Sequence, residues 1–474
     1  MTVPSWQFLL FALAGAAVFN ITPARWWRDA VWLVLNLAFV WSFAGHVGPL
    51  LPLAGFLLLG YLLVGYQGAE AARAKLAWTA PACVILVLAV FIWLKRYSFI
   101  PHELLPPPGY MTIGLSYIFF RVMHLVIDTG QGAETRIGVV SYLNYTLNFP
   151  AFISGPIQRR EDYEANDALP LTLADIGWVA WRMVLGAFKL LILSAALHAW
   201  QLDLLAAFTP DLPLAPRVLT GALVVVLYPL FLYANFSGYT DFVIGIARLY
   251  RLRLPENFDQ PFSATNFINF WSRWHISLSQ WLRSYVFNPL LLTWMRRYRS
   301  ARTKQYPSVA AFFVTFFLVG AWHGQTSEFL FFGLLQGGGV AANRLYQVAM
   351  TRQITPPRYE ALCANPIYRS IARGMTFTWF AFTLLWFWAN WTQIEALATR
   401  LGLAGAVAAA VGTVGAASVV LAVPDAFGAS ASRIGMALRS RYARTAFASG
   451  MLLALAVAAL VLRLSSPEIV YKQF

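Results

Sequence analysis

Apolar runs separated by short polar loops recur along this chain from one end to the other. They lie at Val31–Val40, Leu50–Val64, Pro81–Trp93, Trp178–Leu197, Leu219–Leu232, Val309–Ala321, Phe377–Trp388, Leu401–Val423 and Ala446–Leu462. Hydrophobic residues make up 59% of the 474 residues and charged residues only 12%. A soluble domain usually carries about 25% charged residues, so that class is excluded. The runs predict an all-α, polytopic integral membrane protein with roughly 11 to 13 membrane-embedded helices of about 20 residues each.

The chain is strongly basic, with 35 basic and 20 acidic residues and a net charge of +15. Cytosolic loops that follow the positive-inside rule account for this excess. The densest cluster, Arg296, Arg297, Arg299, Arg302 and Lys304, predicts a cytosolic loop. No extended basic tail is present, so we expect the lipid bilayer, and no nucleic acid, as a partner.

The distribution of polar residues predicts one integral membrane domain over 1–474 with three parts. Residues 1–109 have the character of peripheral helices and end at the cluster Pro106-Pro107-Pro108-Gly109. In residues 110–345, polar side chains interrupt the apolar runs, and Gly and Pro fall where helices break. Residues 346–474 return to plain spanning segments and a C-terminal tail. Lipid-facing helices have no use for embedded polar groups, so we expect the function in the middle part.

Two histidines in the middle part stand in apolar surroundings. His323 follows Trp322 and precedes Gly324 in an uncharged stretch between Lys304 and Glu328, and His275 follows Trp274. A histidine in a membrane-length apolar segment needs a partner or a chemical task. We therefore predict proton chemistry for His323, and for His275 either catalysis or helix packing. The six histidines contain no H-x-x-x-H pair, so no metal site is expected.

Further polar and aromatic residues of the middle part are candidates for lining a cavity or tunnel. They are Asn235, Ser237, Tyr239, Asp241, Trp274, Ser277, Trp322 and Gln336. An ionised carboxylate in hydrocarbon is costly unless it is paired. Asp241 therefore either joins a polar clasp between helices or faces a cavity.

Six blocks of the chain resemble the membrane-bound O-acyltransferases, in their bacterial alginate-acetylating and D-alanylating branch. The blocks are Gly114–Phe120 with Asp128, Phe149–Gln158, Asn235–Asp241, Pro255–Pro261, Phe270–Leu282 and Trp322-His323-Gly324, in the family's order. The resemblance implies tilted helices around a central tunnel in the bacterial inner membrane. It also implies that His323 is the essential catalytic histidine and His275 the second polar position. The donor would be a cytosolic acyl thioester such as acetyl-CoA, with no permanently bound cofactor.

Two further features of the sequence bear on the mechanism. Where family members often carry a second His-Gly, this chain has Gln336-Gly337, and an amide orients or packs but does not shuttle protons. The C-terminal Tyr471-Lys472-Gln473-Phe474 resembles the aromatic tail of alginate-type members. Tyr471 is either an acyl carrier, since a phenol ester keeps much of a thioester's transfer potential, or an interfacial anchor.

These features lead us to expect acyl transfer, specifically of acetyl, to an extracytoplasmic polysaccharide through a partner acyltransferase. D-alanyl or peptidoglycan acyl transfer is the alternative within the family. A transporter of a polysaccharide or lipid-linked substrate would also need broken helices and buried polar groups, but it usually has internal repeats, and none is visible. A lipid-linked glycosyltransferase would need acidic ligands for a metal-bound sugar phosphate, and the chain contains no Asp-x-Asp.

Overall fold

The computed structural model describes residues 1, 3–69, 78–105, 112–132, 137–165, 170–298, 300, 305–423 and 440–458. Over these residues the chain is helical and forms no sheet, the one β-type pairing being an isolated bridge between Phe258 and Trp274. The prediction of an all-α protein is confirmed.

Five helical segments in the described ranges are long and apolar enough to cross a membrane. They are Gly48–Gly68, Leu173–Ala207, Leu214–Leu249, Tyr306–His323 and Trp391–Val420. Three shorter apolar helices accompany them, at Trp6–Phe19, Thr79–Lys95 and Tyr442–Val457. These segments confirm a multi-pass membrane protein.

The chain divides into two compact units. That residues 1–474 form a single domain stays a prediction. The first unit comprises the described residues of Met1–Ala187 and Tyr239–Glu256. Its helices are α1 (Trp6–Phe19), α2 (Arg25–Ala44), α3 (Leu51–Gly68), α4 (Thr79–Lys95), α5 (Leu115–Gly130), α6 (Val139–Leu147), α7 (Arg160–Glu164) and α8 (Leu173–Phe188), with 3₁₀ turns at Gly48–Leu50, His102–Leu104 and Phe149–Ala151.

In the first unit, a buried polar side chain binds backbone groups where a helix ends. The guanidinium of Arg121, on α5, donates to the carbonyl oxygens of Thr146 at 2.8 Å and Ala151 at 2.7 Å. Those carbonyls lie at the end of α6 and in the following 3₁₀ turn, where intrahelical partners run out. A buried arginine therefore provides donors for two backbone carbonyls at the break that follows α6.

The second unit comprises Phe188–Gly238 and Asn257–Pro467. Its helices are α9 (Ser194–Ala207), α11 (Phe267–Trp271), α12 (Ile276–Leu282), α13 (Asn288–Arg297), α14 (Tyr306–His323), α15 (Ser327–Gln353), α16 (Pro356–Ala364), α17 (Pro366–Thr383), α18 (Leu385–Trp388), α19 (Trp391–Val420) and α20 (Arg441–Val457), with π-helical segments at Lys189–Leu193 and Arg283–Phe287 and a 3₁₀ turn at Pro261–Ser263. Helix α10 (Leu214–Leu249) contributes residues to both units.

Helices α14 and α15 pack closely against each other because glycines replace side chains at their contact. A methyl group built on Gly333 would lie 2.5 Å from the carbonyl oxygen of Phe317, and one on Gly337 would lie 2.6 Å from that of Phe313. A methyl group on Gly320 would meet the backbone of Gly333. Small residues four apart allow this close backbone approach within membranes. The pair places His323, at the end of α14, against the start of α15.

Candidate functional site

His275 lies in a backbone turn that a second segment of the chain holds in place. The Phe258–Trp274 bridge is antiparallel, and the backbone N–H of Ile276 donates to the carbonyl oxygen of Asn257 at 3.0 Å. The side-chain oxygen of Asn257 accepts from the backbone N–H and the hydroxyl of Ser277, at 3.2 and 2.7 Å. The residues on both sides of His275 are therefore fixed to the segment that starts at Asn257.

The backbone at His275 itself has left-handed geometry, with φ 45° and ψ 54°, directly before α12. Non-glycine residues adopt this region uncommonly, and such outliers cluster at functional sites. The imidazole is fully buried and lies edge-on to the Phe236 ring, with ring centroids 4.9 Å apart. The fold therefore holds this side chain in a costly conformation away from water.

The indole ring of Trp322 lies next to both candidate histidines. Its ring centroid lies 4.6 Å from that of His323 and 6.4 Å from that of His275. His323 is also buried, and its ring meets Phe387 edge-on at 5.1 Å. Two imidazoles 48 positions apart in the sequence thus share one indole as a neighbour in an aromatic enclosure. Such an enclosure excludes water and strengthens electrostatic interactions with a reacting group.

Gln336 bridges three helices within the second unit. Its side-chain nitrogen donates to the hydroxyl of Thr383 at 2.8 Å, and its oxygen accepts from the indole N–H of Trp271 at 3.3 Å. The side chain is fully buried. These hydrogen bonds are those of a side chain that orients its neighbours. That Gln336 also lines a tunnel stays a prediction.

The other candidates in the second unit are buried as well. Trp274 stacks on Phe270 and lies against Phe380, with ring centroids 5.7 and 5.0 Å apart. Asn235 and Ser237 lie on α10 and are almost inaccessible to solvent. Burial of this kind fits packing and tunnel lining equally well, so their roles stay predictions.

Tyr239 and Asp241, also on α10, belong to the first unit. The hydroxyl of Tyr239 accepts from the backbone N–H of Ser154 at 3.1 Å. The carboxylate of Asp241 forms an ion pair with Arg182, on α8, at 2.6 Å, and Arg182 also binds Glu256 at 2.8 Å. Asp241 therefore takes part in a polar clasp between α8 and α10, one of the two roles that its position predicts.

Two predicted features fall wholly or partly outside the described residues. They are Tyr471 and the basic cluster, of which Arg296 and Arg297 are described, at the exposed end of α13. No group of three or more His, Cys, Asp or Glu side chains comes together in the part of the chain that is described.

Sequence reasoning missed Asn257. It lies in the segment Pro255–Pro261, where two prolines forbid a continuous helix. A buried amide in such an irregular segment must find backbone partners, and this was the available signal. The glycines Gly333 and Gly337 were a second missed signal, since their spacing is the small-xxx-small pattern of close helix contacts.

Comparison with known proteins gives a match over most of the chain. The family model of the membrane-bound O-acyltransferases matches residues 45–387. That range contains His275, Gln336, His323 and the elements that position them.

Several characterised relatives are similar over long stretches. A teichoic acid D-alanyltransferase of Bacillus subtilis is 26% identical over 347 residues, covering 70% of this chain and 85% of the relative. An alginate O-acetylase of Azotobacter vinelandii, named as probable, is 28% identical over 302 residues, covering 62% of this chain and 56% of the relative. A peptidoglycan O-acetyltransferase of Helicobacter pylori is 29% identical over 215 residues, covering 44% and 38%. The chain belongs to the membrane-bound O-acyltransferase family.

Proposed function

We propose that this protein transfers an acetyl group from a cytosolic thioester across the bacterial inner membrane for O-acetylation of an extracytoplasmic polysaccharide. The observation that carries the proposal is the enclosure in which the buried imidazoles of His275 and His323 share the Trp322 indole. Family membership places the chemistry among O-acyl transfers. Acetyl as the acyl group, the thioester donor, the acceptor and the inner membrane are parts of the proposal.

In this mechanism His323 is the general base. Its imidazole takes the proton of the attacking hydroxyl while the hydroxyl oxygen bonds to the thioester carbonyl carbon. The carbon–sulfur bond then breaks, and the departing thiolate receives the proton from His323. His275 orients the thioester or donates a hydrogen bond to the oxygen that gains charge in the transition state. General-base assistance is typically worth about 10²- to 10⁴-fold in rate, and one oxyanion donor about 10²- to 10³-fold.

The named relatives support more than one class of acceptor. Alginate O-acetylases occur repeatedly among them and support a polysaccharide hydroxyl. The D-alanyltransferase and the peptidoglycan O-acetyltransferase support the second candidates, D-alanyl transfer and peptidoglycan acylation. For a polysaccharide acceptor, a partner acyltransferase outside the cytosol completes the transfer, and Tyr471 is the residue that would carry the acetyl group to it as a phenol ester.

The first experiment follows label from isotopically labelled acetyl-CoA onto the purified, lipid-reconstituted protein by mass spectrometry. We expect label on Tyr471 in the wild type and none in a Tyr471→Phe variant. A His323→Ala variant should lose at least about 100-fold in the rate of labelling. The matched control is His198→Ala, in the same unit, where the ring only stacks on Phe231.

The outcomes separate the candidate functions. Labelling that persists in a folded His323→Ala protein contradicts the role of His323. If label is transferred from a D-alanyl carrier thioester while acetyl-CoA stays intact, the protein is a D-alanyltransferase. Acetylation of soluble acceptor in the Tyr471→Phe variant at the wild-type rate rejects the carrier role alone. Substrate flux into vesicles with no acylated product would instead support a transporter.

A further inference from the structure

A pocket in the first unit brings three arginines together around a single carboxylate. Its volume is about 160 Å³, and its lining includes Arg25, Arg28, Asp29 and Arg251. This is far more room than a single water needs. Arg25 and Asp29 lie 3.9 Å apart, so their charges largely cancel. The remaining charge in the pocket comes from Arg28 and Arg251.

Within the described ranges, neither of these two guanidiniums forms an ion pair with a carboxylate. The Nε of Arg28 is buried without a hydrogen-bond partner among the described residues, and the guanidinium lies 5.8 Å from the centroid of the Phe19 ring. The Nε of Arg251 donates to the neutral side chain of Asn20 at 3.2 Å. Burial, together with the positive charges of Arg28 and Arg248, lowers the pKa of Arg251. Like charges held close together are stabilised when an anion binds between them.

The backbone around the pocket adds to its preference for an anion. Arg25 and Arg28 stand in the first turn of α2, a helix of 20 residues, whose free N–H groups and dipole favour negative charge at this end. Arg251 has left-handed backbone geometry, with φ 65°, just beyond the end of α10. Tyr163 also lines the pocket and supplies a phenol that can donate.

The position of the pocket along the membrane normal also bears on its ligand. Arg25 and Arg28 begin α2 and Arg251 and Arg253 follow α10, so basic residues gather at this end of the helices. The positive-inside rule makes it the cytosolic end. Trp26 is 71% exposed, as expected of an aromatic side chain at the headgroup level. Basic pockets between helices at this level are typical sites for anionic lipid headgroups.

We propose that this pocket binds a phosphate group at the cytosolic membrane surface, with Arg28 and Arg251 as its main ligands and Arg25 at its rim. The phosphate comes either from the headgroup of an anionic phospholipid or from a soluble phosphate compound. The site is independent of the acyl transfer proposed above, since none of its residues belongs to the histidine enclosure.

The test uses the full-length protein in detergent, titrated separately with phosphatidylglycerol, with phosphatidylcholine and with sodium phosphate at constant ionic strength. Binding is read as the rise in thermal transition temperature and by native mass spectrometry. We expect phosphatidylglycerol or phosphate to bind and phosphatidylcholine to bind far more weakly. Arg28→Gln and Arg251→Gln should each weaken binding by about 10- to 100-fold, because each removes charged hydrogen bonds to the phosphate.

The control variant is Arg358→Gln, which removes an exposed arginine of α16 and should bind as the wild type does. Arg25→Gln gives a second test that unfolding cannot obscure, since the Arg25 side chain is 77% exposed; a smaller loss of affinity is expected. Binding of phosphatidylglycerol but not of phosphate identifies a lipid site, and binding of phosphate but not of phosphatidylglycerol identifies a soluble ligand. Absence of binding by both, or equal binding by wild type, Arg28→Gln and Arg251→Gln, overturns the proposal.

Discussion

The side-chain oxygen of Asn257 accepts hydrogen bonds from both the backbone N–H and the hydroxyl of Ser277, at 3.2 and 2.7 Å. Both residues are buried. Ser277 lies two positions beyond His275, so this double hydrogen bond fixes the chain directly after the candidate catalytic side chain. The position of the imidazole thus depends on a residue that does no chemistry.

We expect Asn257→Ala to destabilise the protein by about 1–3 kcal/mol, because it leaves two buried donors of Ser277 without an acceptor. The matched variant Ser277→Ala removes only the hydroxyl and keeps the backbone hydrogen bond, so about 0.5–1.5 kcal/mol is expected. Thermal stability by size-exclusion chromatography of heated samples measures both. Acyl transfer should fall more in Asn257→Ala than in Ser277→Ala. A larger loss in Ser277→Ala would contradict this role for Asn257.

Gly320→Ala is expected to destabilise the contact between α14 and α15. The new methyl group would meet the backbone of Gly333, which cannot rotate away as a side chain can. Overpacking of this kind costs about 1–3 kcal/mol and would displace His323, one helical turn further on. The control is Gly338→Ala on α15, where an added methyl group meets nothing within 4 Å. That variant should be neutral or slightly more stable, because alanine favours a helix. Equal melting temperatures for the two variants would refute the contact.

Gln336→Leu should cost about 1–3 kcal/mol, since it removes the acceptor of Trp271 and the donor to Thr383 while both of these groups stay buried. Gln336→Glu keeps an acceptor for the Trp271 N–H but buries a carboxyl group. It should therefore lose transfer activity on raising the pH, because an ionised carboxylate is costly in this buried position. Thermal stability and transfer rate from pH 5 to 8 test both substitutions. Wild-type stability in Gln336→Leu would show that the bridge is dispensable.

Asp241→Ala is expected to destabilise the clasp between α8 and α10 more than Glu256→Ala does. The side chains of Arg182 and Asp241 are only 15% and 12% exposed, whereas that of Glu256 is 54% exposed. An exposed pair is worth about 0–1 kcal/mol, and removing one member of a buried pair costs more because it leaves a charge desolvated. The double variant Asp241→Ala/Arg182→Met should recover part of the loss. No recovery would mean that Asp241 acts other than through Arg182.

Much of the helical architecture could be predicted from the sequence because it depends on local composition. Apolar runs bounded by Gly, Pro and basic residues indicate helices wherever they occur. The two prolines of Pro255–Pro261 likewise predict the irregular segment that the structure has there. His275 and His323 could be identified individually by the cost of burying an imidazole in apolar surroundings.

Their common neighbour could not be predicted in this way. The contact of Trp322 with His275 joins positions 47 apart, and no local pattern encodes such a distance. Asn257 escaped prediction for a related reason, since its partner lies 20 positions away and an asparagine has no periodic signature. The pairing of Asp241 with Arg182 depends on the packing of two helices, so sequence alone left two roles open.

The backbone contact between Gly320 and Gly333 has a consequence for how the chain can change over evolutionary time. Main-chain atoms, rather than interlocking side chains, set the distance between α14 and α15, so the location of His323 does not depend on the outer face of α14. Leu318, on that face, is 38% exposed. Such a position can therefore adapt to bilayers of different thickness or lipid content while the reactive imidazole keeps its place.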